Sequence, residues 1–335
     1  MILVTGGTGL VGTHLLYQLT QRGHTIRALY RNGSHLERVK TIFSYYTDAP
    51  DQLFKKIEWV LGDITDIPSL EKAFENVTQV YHCAALISFD PNDYQKLKSI
   101  NKKGTANVVN LCVAHKIEKL CYTSSIATIG SSLDRSATVE GKDWNEAPAT
   151  VYALTKYGAE MEAWRGAYEG VPTIIVNPGV IIGPGFWTQG KGGLFHTAKR
   201  GLRFYPPGGT GFVDVRDVVT GMVGLMEKDI ANERYIVVGE NLSFQEILGK
   251  MALALGKKPP TKKLAFWQLN IGRFFDFMGH IFTRKGRTIT KDTIHMLRHR
   301  DIYDATKIKT ELGLEFTPMD ETVAFSCSLF SNEFA

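Results

Sequence analysis

A short apolar run, Ile2-Leu3-Val4, leads straight into Thr5-Gly6-Gly7-Thr8-Gly9-Leu10-Val11-Gly12, and a helical pattern, Leu10–Gln21, begins inside that loop. Gly6 permits a turn that a side chain opposes. Gly9 lets backbone approach a ligand, and Gly12 lets the helix lie close on the strand. A helix that starts here aims unpaired amides and a partial positive charge at one point. Such a point seats a phosphate, and the strand before and helix after make it the seat of a dinucleotide's pyrophosphate. Thr8, Leu10 and Val11 complete the loop that faces it. The glycines stand three apart, so only the first interval departs from Gly-x-Gly-x-x-Gly.

The chain continues in the same rhythm. Strand-length runs at Thr25–Leu29, Ile57–Leu61, Gln79–Cys83, Leu120–Thr123 and Thr173–Val176 alternate with helical patterns at Ser69–Phe74, Tyr94–His115 and Val151–Tyr168. Strands alternating with helices predict an α/β fold, a doubly wound parallel sheet of the Rossmann type with right-handed crossovers. Residues 1–178 read as the cofactor-binding domain, to which 212–240 partly returns through short strands at Phe212–Val215 and Tyr235–Val238. Residues 179–335 read as a smaller, mostly helical and discontinuous substrate lobe.

Composition narrows the function classes. The 335 residues carry four scattered cysteines, at neither disulfide-framework nor zinc-ligand spacing, so no metal site is expected. No run approaches the roughly 20 apolar residues that span a membrane. The start lacks a basic, then apolar, export leader, and the expectation is a cytoplasmic protein. Charge is uneven: between 256 and 310, eight Lys and five Arg stand against four Asp and no Glu. This marks a local surface rather than a nucleic-acid-binding protein.

The end of the second strand addresses the nucleotide. An NAD site places a carboxylate there for the ribose 2′-hydroxyl. Ala28-Leu29-Tyr30-Arg31-Asn32-Gly33-Ser34 contains no acid. Arg31 instead suits a 2′-phosphate, with Arg38 as a second clamp, so NADP is preferred and NAD is the second choice. Asp63, followed by Ile64 after the third strand, is placed for the adenine.

Tyr152 and Lys156 stand four apart, on one face of a helix. A phenol with pKa near 10 is a poor catalyst at neutral pH, and an adjacent cation favours its ionised form. Bringing it to about 7 is expected of Lys156 together with a charged nicotinamide ring. Ser124 and Ser125 leave the fifth strand at its carboxyl end, where such sheets bind ligands. Asn101 lies in the preceding long helix.

These separated motifs, with His82-Cys83-Ala84-Ala85, Asn177-Pro178-Gly179, Gly183-Pro184-Gly185 and Phe212-Val213-Asp214-Val215-Arg216-Asp217-Val218, resemble the extended short-chain dehydrogenase/reductases of the NAD-dependent epimerase/dehydratase group. The likeness is to a dihydroflavonol-reductase-like and hopanoid-associated epimerase-like branch. It implies Tyr152 as general acid, Ser125 (or Ser124, one register away) holding the carbonyl oxygen, and Lys156 on the nicotinamide ribose. It implies a relay water on Asn101, for which a backbone-bonded helix residue is the equal alternative. Ala84 and Ala85 would wall the cofactor, and Pro178 and Val180 would face its carboxamide. A homodimer through the helices of Asn101 and Tyr152 is also within the resemblance.

The resemblance leaves two enzyme classes open. Nucleotide-sugar epimerases and dehydratases with bound NAD place an arginine, here Thr210, against the substrate diphosphate. Reductases of apolar ketones or aldehydes do not need it, and the missing cation favours an NADP-dependent oxidoreductase. The expected pocket is apolar: Leu86, Ile87, Phe89, Ile126, Phe186, Trp187 and Phe195, together with Asn177. For the loop aromatics, sealing of the lobe is the equal alternative. The aromatic and basic stretch 264–288 fits either a helix touching membrane lipid or a buried helix closing the lobe.

Overall fold

The apolar run that precedes the glycine loop is buried on both faces, as the central strand of a parallel sheet must be. The computed structural model describes residues 1–33, 35–130, 136–142, 144, 149–187, 193–265, 267–269 and 290–334. In chain order its strands are β1 (Ile2–Thr5), β2 (Ile26–Tyr30), β3 (Ile57–Leu61), β4 (Gln79–His82), β5 (Lys119–Thr123), β6 (Thr173–Pro178), β7 (Val180–Ile182), β8 (Phe204–Tyr205), β9 (Gly209–Asp214), β10 (Glu233–Val237), β11 (Glu240–Ser243) and β12 (Lys262–Lys263). Seven of them form the large sheet in the order β10-β6-β5-β4-β1-β2-β3, and every pairing in it is parallel. The order reverses between β1 and β4, which puts a ligand crevice at their carboxyl ends.

Alternation along β1 sends Ile2 and Val4 to one face and Leu3 to the other. On the first face they pack with Leu15 and Leu16 of the helix Leu10–Gln21 and with Val218 and Met222 of the helix Val215–Glu227. On the second, Leu3 joins Leu70 and Phe74 of the helix Ile67–Phe74 and Val108, Val109 and Cys112 of the helix Gly104–Ala114. Strand β10 extends the large sheet from beyond the lobe's first strands. Tyr303, Ala305 and Ile308 also belong to the core of the large sheet, although they lie in the stretch read as lobe.

The lobe is built on a small sheet, β11-β9-β7, with its own core of Phe212, Leu242, Ile247, Met251, Met319, Val323 and Phe330. Among the described residues no helix is long and apolar enough to cross a membrane, and no cluster of three metal-ligating side chains occurs. Most of the stretch 264–288 lies outside the described residues.

One helix departs from its sequence pattern. The expected single helix Tyr94–His115 is α-helical over Tyr94–Leu97 and Gly104–Ala114, with a π-helical turn at Lys98–Lys103 between. Wide turns of this kind gather at functional sites, and Asn101 sits within this one.

Candidate active site

The glycine loop closes on itself by backbone contacts. Gly6 has φ +72°, and a Cβ on it would lie 2.6 Å from the amide nitrogen of Ala84. The loop after β4 therefore runs directly against the glycine turn. Gly9 donates its N–H to the Gly6 carbonyl at 2.9 Å, and a Cβ on Gly12 would fall 2.1 Å from that same oxygen. Gly9 caps the helix in extended conformation, with no side chain bonded across the first turn. A cradle without a side chain over its amides fits a pyrophosphate.

At the neighbouring strand ends, exposed Arg31 faces Asp63, Nη1 to Oδ2 at 4.0 Å. The other oxygen of Asp63 accepts the amide (2.8 Å) and hydroxyl (2.7 Å) of Thr65, which fixes the turn. Ile64 is buried, its carbonyl held by Asn107 Nδ2 at 2.9 Å. The Arg38 guanidinium lies over the Phe186 ring at 5.2 Å. Pro178 is buried at the end of β6, and Val180 opens β7 with its side chain largely exposed.

Ser125 and Tyr152 meet. The Ser125 side chain stands close enough to the phenol to act on its ionisation, and Ser125 Oγ accepts the Ala127 amide at 3.2 Å. Ser124 is committed elsewhere, its hydroxyl 2.5 Å from Glu160 Oε2. Ser125, and not Ser124, is thus the serine that stands beside Tyr152. The helix carrying Tyr152 is started by Thr150, whose hydroxyl accepts the Ala153 amide at 3.1 Å.

Burial pushes the Tyr152 phenol up to about 12, with the Ser125 side chain opposing. Lys156 points elsewhere: its Nζ lies 2.6 Å from the Tyr122 hydroxyl and 2.8 Å from the Thr123 carbonyl. Burial also brings Lys156 itself down to about 7, with Glu160 and Cys83 opposing. With its ammonium turned to β5, Lys156 is not among the groups that shift the phenol.

Asn101 is 1% exposed and bonds both ways to the Leu86 backbone, accepting its amide at 2.7 Å and donating to its carbonyl at 3.0 Å. A further bond reaches Thr155 Oγ1 at 3.3 Å. This is the backbone-bonded geometry, with which a relay role is compatible. It pins the Ala84–Leu86 loop to the π-turn and so sets the wall beside the cradle.

The expected pocket residues divide. Phe89 sets its ring edge-on to Tyr152 at 5.7 Å, Leu86 is half-buried, Ile87 is 65% exposed, and Ala85 before them is exposed. Three others lie away from any opening. Ile126 is buried in the core of the large sheet. Trp187 is sealed in the lobe core against Phe195 and Phe330, its indole N–H donating to Glu333 at 2.7 Å. Asn177 is fully buried behind the Ser125 turn, within hydrogen-bonding distance of Ser125 O, Thr128 and Glu160. Ile126 and Trp187 are taken up by apolar cores, and Asn177 is held through its amide nitrogen while its Oδ1 is buried without a partner.

Four residues at the site have no role assigned from the sequence: Tyr122, His82, Glu160 and Arg234. His82 is buried between the hydroxyls of Thr5 (2.6 Å) and Thr105 (2.9 Å) and stacks on Tyr122. Burial first, and then Lys156, bring it down to about 3. The unfolded chain therefore binds a proton at this residue near pH 6.5 that the folded chain refuses until about 3. Stability is complete above that window and is lost as pH falls through it. His82→Gln is expected to flatten the acid side of a Tm-against-pH curve by several degrees, and an unchanged slope would show that His82 is not the residue responsible.

With this geometry in view, comparison with known proteins places the chain. The sequence profile of the NAD dependent epimerase/dehydratase family matches residues 2–239. The chain belongs to that family. It is 29% identical over 339 residues to a Synechocystis sp. protein bearing a dihydroflavonol 4-reductase name, covering 98% of this chain and 94% of the relative. It is 28% identical over 334 residues to sterol demethylase protein B of Methylococcus capsulatus, covering 97% and 95%. The crystal structure of gox2253 superposes with a TM-score of 0.82 at 27% identity, covering 99% of this chain and 98% of the other. This family member is an NAD(P)-dependent oxidoreductase with an extended short-chain dehydrogenase/reductase fold and a nicotinamide cofactor.

Proposed function

We propose that the enzyme transfers hydride between NADPH and an apolar ketone or aldehyde, or the corresponding alcohol, with Tyr152 as general acid and base. The observation that carries this reading is the placing of the Ser125 and Tyr152 side chains beside one another at the carboxyl end of β5, with the Phe89 ring against the phenol. Two hydroxyls converging there can hold one carbonyl oxygen between them, as an oxyanion site does. Tyr152 then gives its proton to that oxygen, and Ser125 keeps it in line. The glycine cradle would hold the cofactor, which would supply the hydride. Lys156 would hold its nicotinamide ribose. Leu86, Ile87 and Phe89 shed water from the reacting carbon.

The relatives support an apolar substrate, since the names of two of them refer to a flavonoid and a sterol. At the position of the diphosphate-clamping arginine the chain has Thr210, whose side chain stands near the Tyr303 phenol. A nucleotide sugar would lack its bidentate cation there. The test is a panel of benzaldehyde, cinnamaldehyde, cyclohexanone and a steroid ketone with NADPH, followed at the reduced-nicotinamide band. Net turnover supports the proposal. No turnover, together with tight binding of UDP, would give the site to an epimerase.

Cofactor preference rests on Arg31. Its surface pairing with Asp63 at 4.0 Å is of a kind worth no more than about 1 kcal/mol, so a 2′-phosphate can compete for the guanidinium. Arg31→Ala is expected to weaken NADPH about tenfold more than NADH. Titrating both cofactors into the variant checks this, and equal losses would return the choice to NAD.

A further inference from the structure

We propose that Glu160 is the positioning residue for Ser125, acting through Thr128 and Asn177 and anchored by Arg234. This rests on the reading of Ser125 as the hydroxyl that holds the carbonyl oxygen. Tyr152, Lys156 and Glu160 follow one another at four-residue spacing along one face of the helix Val151–Tyr168. The first two serve the site directly. Glu160, a turn further on, is 0% exposed and lies behind it.

Every contact of the carboxylate is with a donor. Oε2 lies 2.5 Å from Ser124 Oγ, 2.6 Å from Thr128 Oγ1 and 2.9 Å from Asn177 Nδ2. Oε1 takes Arg234 Nη1 at 3.0 Å. Thr128 has one hydroxyl proton, and the carboxylate is its nearest acceptor. Asn177 then carries the link onward, its amide nitrogen also standing 3.1 Å from the Ser125 carbonyl and 2.9 Å from Thr128 Oγ1. The Thr128 amide donates to that carbonyl as well, at 3.1 Å. The backbone of Ser125 is thus gripped from behind by groups that Glu160 orients, while its hydroxyl faces Tyr152.

Arg234 closes the arrangement from the sheet edge. Its side chain is 18% exposed, and its remaining N–H groups hold the carbonyls of Glu140 and Lys142. A buried ion pair of this kind adds little net stability, because desolvation offsets the attraction. Apolar side chains of similar volume would pack here more cheaply. What the ion pair does supply is direction: five polar groups, all fixed relative to the turn that presents Ser125.

The test uses the full-length enzyme in four forms: parent, Glu160→Gln, Ser125→Ala and the double variant. Glutamine keeps the shape but puts an N–H₂ among donors. Glu160→Gln is expected to lower kcat about tenfold for the carbonyl of the panel turned over fastest, with KM for NADPH unchanged within about twofold. In the Ser125→Ala background the same substitution is expected to cost almost nothing further. Deuterium exchange of the amides at 124–129 should rise severalfold, with exchange in the lobe helix Met319–Glu333 unchanged.

Should Glu160→Gln fold poorly, Thr128→Val removes the hydroxyl that Glu160 orients and should show the same non-additivity on a smaller scale. Losses that multiply in the double variant, or unchanged exchange at 124–129, overturn the proposal. The exchange experiment needs no substrate, so it decides this point even if the panel fails. An active Tyr152→Phe variant would instead remove Tyr152 from the chemistry and leave the exchange result standing.

Discussion

Tyr152→Phe is expected to lower kcat about a thousandfold while the Kd for NADPH changes less than about twofold. The substitution removes one oxygen and keeps the ring that packs edge-on against Phe89, so the pocket wall survives. Only the proton and one of two hydrogen bonds to the substrate oxygen are lost. Because burial holds the phenol up at about 12, it is a reliable donor through the neutral range. Reduction should therefore vary little with pH between about 6 and 8, and alcohol oxidation, which needs the phenolate, should gain as pH rises. Steady-state rates in both directions, with cofactor binding followed by fluorescence, measure all of this. Turnover of Tyr152→Phe within a few-fold of the parent would remove Tyr152 from the chemistry.

Where local pattern carries the information, the sequence anticipates the structure closely. β1, the glycine loop and the helix Leu10–Gln21 are specified by residues within one another's reach, and the large sheet follows from the repetition of that unit. The Tyr152/Lys156 spacing is likewise a local signal. The π-turn at Lys98–Lys103 is not, since one extra residue per turn leaves the apolar spacing on either side intact. The one faint trace of it is Asn101, a poor helix former in mid-helix, whose bonds to Leu86 compensate the opened turn.

What stays hidden is what long-range burial decides. Glu160 and Arg234 are 74 residues apart and meet only because β10 joins the sheet beside β6. A charged residue on a helix reads as a solvated face until the fold removes the water. Trp187 and Asn177 illustrate the converse, since loop aromatics and amides near a site read as pocket lining until the lobe core and the Ser125 turn absorb them. The signal that was available is the third member of the stripe Tyr152, Lys156, Glu160, at the same four-residue interval.

The glycine loop allows folding and binding to be separated. A methyl group at Gly12 would lie 2.1 Å from the Gly6 carbonyl oxygen, 2.7 Å from its carbon and 2.9 Å from Gly7 Cα, all of them backbone. No rotamer relieves that, so the helix must back away from β1. Gly12→Ala is expected to cost about 3 kcal/mol of stability and to weaken NADPH about a hundredfold, because the amides of the first turn move with the helix. At Gly9 the added methyl meets only the Gly6 oxygen, at 3.2 Å, and φ is −91°, which any residue adopts. Gly9→Ala should therefore cost under about 1 kcal/mol in folding. It should still weaken NADPH about tenfold, since the methyl occupies the approach of the pyrophosphate to the amides. Gly141, with nothing within 4 Å of an added Cβ, is the control and should behave as parent in both measurements. Thermal denaturation paired with cofactor titration across the three variants decides the matter. If stability and affinity fell together at Gly9 as they do at Gly12, the second glycine would be serving the fold, and the cradle would have to be sought elsewhere along the loop.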